Sequence, residues 1–182
     1  TILNPEISAS STVSCPGESI DLSVSSQGIV FGRYTNWISG EPSNNYNTSD
    51  INAYENYGIA QFNPNWQTGW NDHPNIGLQS IFEFNEPRNS LPNCQYIGDF
   101  NGHSYFISLS NMTWEDANDF AVTNEGYLCI ISSEEETQFL ESSGYTDGAY
   151  VNIGMYQDIM DPNYEEPDGG WKWVDGTYVQ MN

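Results

Sequence analysis

The sequence predicts an α+β fold, on three observations. Over residues 94–182, short apolar strands alternate with two capped amphipathic helices. Before them run long stretches rich in Gly, Asn, Pro and Trp, with no helical period. The composition is that of a chain that folds: 182 residues, 37% hydrophobic and 14% aromatic, with only 15% charged. Acidic disordered chains have the reverse balance. The length suits one good domain and is short for two.

Residues 1–30 read as a short β arm. Ile7, Val13, Ile20, Leu22 and Val24 supply its apolar positions, and Cys15-Pro16-Gly17-Glu18-Ser19 its turn. A piece this small cannot bury a core alone. Residues 31–85 read as loop-rich, with one short strand at Ile81-Phe82-Glu83-Phe84, and 86–93 as a linker. Tyr105-Phe106-Ile107 is a strand. Thr113-Trp114-Glu115-Asp116 then opens a helix like a capping box, with Trp114, Ala117, Phe120 and Ala121 at helical spacing and Gly126 as its stop. A buried strand follows from Leu128 to Ile131. Ser133 with Glu136 caps a second helix through Phe139 and Leu140 that ends near Gly144. Residues 150–155 form another strand, and Trp171-Lys172-Trp173-Val174-Asp175-Gly176 ends in a turn.

Acids number 25 against 3 bases, a net charge of −22. That excludes the usual nucleic-acid interface and electrostatic attachment to anionic lipid. No apolar run of about 18 residues is present to insert in a membrane. No signal peptide opens the chain, and Thr1 reads as the start of a mature or recombinant chain. Like charges destabilise a compact state. A solvated acidic surface accounts for most of them, and bound Ca²⁺ for a handful of carboxylates. Three cysteines form no metal cluster: Cys129 lies in an apolar run, and Cys15 and Cys94 pair with each other or outside this segment. The Asn- and Ser-rich, Lys-poor composition and the sequons at Asn47 and Asn111 point to an extracellular or cell-surface protein.

Six pieces then fall in register: Gly102-His103-Ser104-Tyr105-Phe106, Thr113-Trp114-Glu115-Asp116-Ala117, Gly126-Tyr127-Leu128, Ser132-Ser133-Glu134-Glu135-Glu136, Asn152-Ile153-Gly154-Met155 and Trp171-Lys172-Trp173-Val174-Asp175-Gly176. In order and spacing they resemble the first half of a C-type lectin-like domain. Asn36-Trp37-Ile38-Ser39-Gly40-Glu41-Pro42, Glu55-Asn56-Tyr57, Gly69-Trp70-Asn71-Asp72 and Phe82-Glu83-Phe84 resemble its second half. The resemblance covers about 31–85 and 94–182 and implies two helices, small antiparallel sheets and long calcium-binding loops. The halves stand in permuted order. Circular permutation closed by 86–93, a cut from a tandem array completed by a swapped neighbour, and interruption after Trp173 are the readings. Residues 1–30 resemble the opening of immunoglobulin-like modules of bacterial surface proteins.

Within 41–72 the loops offer calcium-type oxygens: Glu41, Ser43, Asn44, Glu55, Asn71 and Asp72. The resemblance implies that Glu41, Glu55, Asn71 and Asp72 hold a sugar-binding calcium. It further implies a cis peptide before Pro42, and two vicinal sugar hydroxyls completing the ion's shell. Ligand contacts fall to Glu41, Ser43, Glu55 and Asn71, with Trp66 as the best aromatic platform and Tyr46 or Tyr54 as alternatives. Ser43 departs from the family's Asn or Asp, with Asn44 as a stand-in one residue on. Glu at the first position leans towards mannose, fucose or glucose geometry. A second acidic loop, with Asp158, Asp161 and Glu165, falls where the family often carries an auxiliary calcium, and Glu166-Pro167-Asp168 belongs to that loop. His73 reads as a surface residue, His103 as structural, and Trp37, Trp70, Trp114, Trp171 and Trp173 as core. Nucleophile elbow, phosphate loop and zinc helix motif are absent, so no enzyme is expected. The expected function is a calcium-dependent carbohydrate-binding module of an extracellular adhesin, its partner a glycan. The alternatives are a structural or protein-binding module, or an ice-binding surface.

Overall fold

The structure is a computed structural model that describes residues 34–45, 54–62, 67–145 and 150–181. The chain divides into two units, Thr1–Gly32 and Arg33–Asn182, and every described residue lies in the second. The β arm expected over 1–30, Cys15, Tyr46 and Trp66 lie outside the described residues.

The elements follow in the order β1 (Tyr57–Gln61), β2 (Gly69–His73), β3 (Gln79–Phe84), β4 (Cys94–Phe100), β5 (His103–Ser108), α1 (Trp114–Thr123), β6 (Tyr127–Leu128), α2 (Glu134–Ser142), β7 (Tyr150–Gln157) and β8 (Trp171–Trp173). The strands join in the order β2-β1-β7-β3-β5-β4, with β6 beside β3 and β8 beside β7. The β3–β7 pair is parallel and the others are antiparallel. Because β7 lies between β1 and β3, the segments 57–84 and 94–173 interleave in one sheet. Residues 85–93, which hold neither strand nor helix, carry the chain from β3 to β4.

Both helices start as their sequences require. The Thr113 hydroxyl accepts from the Asp116 N–H at 3.2 Å, and Ser133 Oγ from the Glu136 N–H at 3.2 Å. Acidic residues occupy both first turns, where the helix dipole favours them. The stop of α1 differs from expectation. Glu125, not Gly126, takes the left-handed conformation (φ 64°), and the Gly126 N–H closes on the Ala121 carbonyl at 2.9 Å. Glycine is required at 126 because a Cβ there would strike the Phe84 ring.

Strands β1 and β2 were hidden in a region that reads as loop. Every β1 residue after Tyr57 is buried, so no alternation marks it. Its Gly58 leaves room for the Met155 side chain, and Gly69 of β2 lies where a Cβ would come within 2.7 Å of the Asn36 carbonyl. The core is aromatic. Trp70 meets Tyr34, Trp37 and Trp173 edge-on at 5.6, 6.1 and 5.3 Å between ring centroids. Trp37 meets Trp171 at 5.2 Å. A second cluster gathers Phe82, Phe84, Phe106, Trp114 and Leu128. Cys94 and Cys129 are free thiols. Tyr34 and Met181 pack on the Trp cluster, and Tyr34, Thr177 and Gln180 line one cavity of about 280 Å³.

Candidate functional site

Strand β2 carries Trp70-Asn71-Asp72. Buried Trp70 anchors it, and its main chain binds the segment before the first acidic loop: Trp70 N–H to Asn36 O at 2.7 Å, Ile38 N–H to Trp70 O at 3.0 Å. That loop turns at Gly40 (φ 92°), passes a cis Glu41–Pro42 peptide and reaches a left-handed Asn44 (φ 44°). It lands on Asp72, which is only 1% exposed. The Asp72 carboxylate accepts the Ser43 N–H at 3.0 and 3.1 Å and the Asn44 N–H at 2.6 Å. Glu55, buried just before β1, accepts the Asn45 N–H at 2.7 Å and donates its own N–H to Asn44 Oδ1 at 3.2 Å.

The six oxygen-bearing residues named from sequence are thereby brought to one corner of the sheet. Two of their buried oxygens, Glu41 Oε2 and Asn71 Oδ1, have no hydrogen-bond partner. The Glu41 carboxyl is pushed above the ordinary carboxylate range by burial and then by the neighbouring Asp72, while a hydrogen bond from Ser43 opposes the rise. The donor set is oxygen only, from carboxylates and amides, which is the chemistry of a hard cation such as calcium. Neither described strong base is at hand. Arg88 donates to Asn124 O and lies over the Phe84 ring, and Lys172 binds Asp158 and Asp161. Asn44, the stand-in for Ser43, directs its amide oxygen to the Glu55 main chain.

The second acidic loop is satisfied differently. Lys172 Nζ lies 2.9 Å from Asp158 Oδ2 and 2.6 Å from Asp161 Oδ2. The remaining oxygens take main-chain donors, Met160 N–H to Asp158 Oδ1 at 3.0 Å and Asn163 N–H to Asp161 Oδ1 at 2.7 Å. Tyr178 OH adds a bond to Asp161 Oδ2 at 2.7 Å. Glu165 joins the loop through its carbonyl, which accepts from the Gly169 N–H at 2.5 Å. At the two aspartates, then, an ammonium and three further donors already hold all four carboxylate oxygens.

Sequence reasoning missed a third acidic group, buried between β3 and α2. Glu83, Glu136 and the Cys129 thiol converge there. Glu83 meets His103 Nδ1 at 2.5 Å, Tyr127 OH at 2.9 Å and the Ile130 N–H at 3.0 Å. Glu136 accepts from Tyr105 OH at 2.8 Å and from Ser132 N–H and Oγ at 2.8 and 2.9 Å. Glu136 therefore does not reach back to close the capping box on Ser133. Burial pushes the Glu83 carboxyl up, opposed by the Ile130 N–H and the two side-chain donors. The signal was a lone acid inside the apolar strand Ile81-Phe82-Glu83-Phe84. His73 rests on the Pro74 carbonyl at 3.0 Å.

Comparison with known proteins points the same way as this architecture. Residues 110–182 match the family model described as Lectin C-type domain. Human C-type lectin domain family 10 member A is 34% identical over 73 residues, 40% of this chain and 20% of that protein. Asialoglycoprotein receptor 2 of Rattus norvegicus is 30% identical over 84 residues, 46% of this chain and 24% of that protein. Human C-type lectin domain family 4 member K is 33% identical over 78 residues, 43% and 21%. The chain thus spans about a fifth to a quarter of the length of these curated relatives. No solved structure matches. The fold, two helices on a mixed sheet, is the α+β C-type lectin-like fold. No described helix is long and apolar enough to cross a membrane. The candidate site, at 41–72, lies outside the residues matched by the family model.

Proposed function

We propose that this unit is a calcium-dependent carbohydrate-binding module of an extracellular adhesin, and not an enzyme. The observation that carries the reading is the pair of buried oxygens, Glu41 Oε2 and Asn71 Oδ1, left without donors beside the buried Glu55 and Asp72. A buried acceptor without a partner costs about 1–3 kcal/mol, and carboxylates held together repel. A calcium ion held by Glu41, Glu55, Asn71 and Asp72 removes both costs, and when bound it offers coordination positions to a pair of sugar hydroxyls. The chain's own residues do the positioning. Trp70 fixes β2, the 36–38 segment fixes the loop entry, and Asp72 clamps the main chain at Ser43 and Asn44. Tyr54, 51% exposed and next to Glu55, offers an aromatic face to a sugar ring. The lectin names of the relatives support a glycan as the partner.

Calorimetric titration of calcium into chelator-stripped protein, followed by a glycan array with and without the ion, tests the proposal. Calcium-dependent glycan binding is the expected result. Glycan binding that persists in chelator would refute the site. A structural or protein-binding module is the second reading. It draws on the Ser43 N–H and Asn44 Oδ1 being held within the loop, and calcium binding without any glycan hit is its outcome. We also read the order of the two segments as circular permutation, supported by their interleaving in one sheet within one chain.

A further inference from the structure

The two acidic loops differ in how many carboxylate oxygens remain for an ion, and the second leaves none among the aspartates that face each other. The loop departs from β7 at Asp158 and returns to β8 at Trp171. Its neck is closed by the Asp158 N–H on the Gly170 carbonyl at 2.8 Å. Lys172 stands just past that neck, its neighbours Trp171 and Trp173 both buried. Across the sheet it pairs with Tyr156, and it forms a bridge with Tyr178 on the other side. The backbone at Lys172 is therefore fixed before its side chain is considered. From there the ammonium reaches both aspartates, with side chains 17% exposed at Lys172 and 1% at Asp161, and lies 5.3 Å from the centre of the Tyr178 ring. Gln157 reinforces the same neck, its amide donating to the Pro167 and Gly169 carbonyls at 3.3 and 2.9 Å.

We infer that Lys172 is a built-in counter-ion that closes the 158–170 loop, so that this loop takes no calcium of its own and keeps its shape when calcium is withdrawn. A divalent ion would need six or more oxygens at this place and would have to displace an ammonium already bonded to two carboxylates. The direction of titration agrees. Hydrogen bonds with Lys172 hold both aspartates below the ordinary carboxylate range, and the two aspartates raise the lysine above its own. The inference does not depend on the first loop, whose calcium site stands or falls separately.

The test is hydrogen exchange over residues 158–170, in calcium and in chelator, together with calcium counting by native mass spectrometry on the whole chain. In the natural protein, exchange in this loop is expected to change less than about twofold on chelation. The ion count is expected not to exceed one per chain. Lys172→Gln, close in length but uncharged, is expected to speed exchange in the loop about tenfold in chelator, and Lys172→Arg to restore most of the protection. Two ions per natural chain, or loop exchange in the natural protein accelerated tenfold by chelator, overturns the inference. So does a Lys172→Gln protein whose loop is as protected in chelator as the natural one. Should Lys172→Gln fail to fold, the natural protein with and without chelator decides alone. A count of zero ions with a loop indifferent to chelator sinks the first calcium site and leaves this inference standing.

Discussion

The loop at 41–55 and the loop at 158–170 are both acidic, and both are carried from the Trp cluster, yet they neutralise their charge in opposite ways. At the first, main-chain N–H groups take up the oxygens of Asp72 and one of Glu55, while Glu41 and Asn71 present buried oxygens to nothing. At the second, a lysine, a tyrosine and two main-chain N–H groups bond all four aspartate oxygens. The number of acidic residues does not distinguish them. The number of buried acceptors without donors does, because buried polar groups in folded proteins are otherwise paired.

The largest expected effect is at the first loop. Asp72→Ala removes a carboxylate of the proposed calcium site and strands the N–H groups of Ser43 and Asn44. Calcium affinity should fall roughly 100-fold or more, about 3 kcal/mol, by calorimetry; unchanged affinity would place the ion elsewhere. Glu41→Gln sharpens the contrast, because its two effects have opposite signs. Calcium affinity falls about tenfold with the lost ligand charge. Melting of the calcium-free protein shifts upward, because burial and Asp72 disfavour the Glu41 charge. A melting temperature that falls in both states would mean the carboxylate is already neutralised without the ion.

At the second loop the dependence on pH has a defined sign. Asp158 and Asp161 titrate below their ordinary 3.8, so their share of stability is present above 3.8 and is lost as pH falls through the lowered values. Lys172 titrates above its ordinary 10.5, so its share is present below 10.5 and is lost as pH rises through the raised value. The difference in melting temperature between the natural protein and Lys172→Gln should therefore stay level between those limits and narrow outside them. A difference that varies across neutral pH would assign the loop's stability to other groups. The smallest effect is expected from rearranging the chain. A protein that runs 94–181 and then 34–85 should fold and bind calcium within about threefold of the natural order, since domain termini that lie together tolerate relocation. An unfolded product would remove the permutation reading.

Much of this was legible in the sequence, for identifiable reasons. The helix starts at Thr113 and Ser133 are local chemistry, set by a side chain three residues from the N–H it caps. The tryptophans were recognisable as core because each sits in a fold-forming motif, and five of them do lie buried. Glu41, Ser43, Asn44, Glu55, Asn71 and Asp72 were named from motif order; Asp72 bonds the Ser43 and Asn44 main chain, and Glu55 bonds Asn44 and Asn45. What was not legible depended on distant partners. β1 lacks alternation because both its faces are covered, β2 alternates over only four residues, and their glycines make sense only once Met155 and Asn36 lie against them. The pairing of Lys172 with Asp158 and Asp161 spans a loop closed by Gly170 and a bridge to Tyr178, so nothing in the local sequence tells an ammonium from a metal ion there. Glu83 and Glu136 find their hydroxyl partners across the fold, beyond any spacing rule.

The cavity shared by Tyr34, Thr177 and Gln180 also bears on mechanical load. It places the entry and exit of the described main chain side by side. Tension applied through both would first meet the main-chain bonds between Trp70 and Asn36 and between Val179 and Trp171. The first of these bonds is also where the segment entering the first acidic loop is tethered to β2, so load on the chain and the geometry of that loop share one connection.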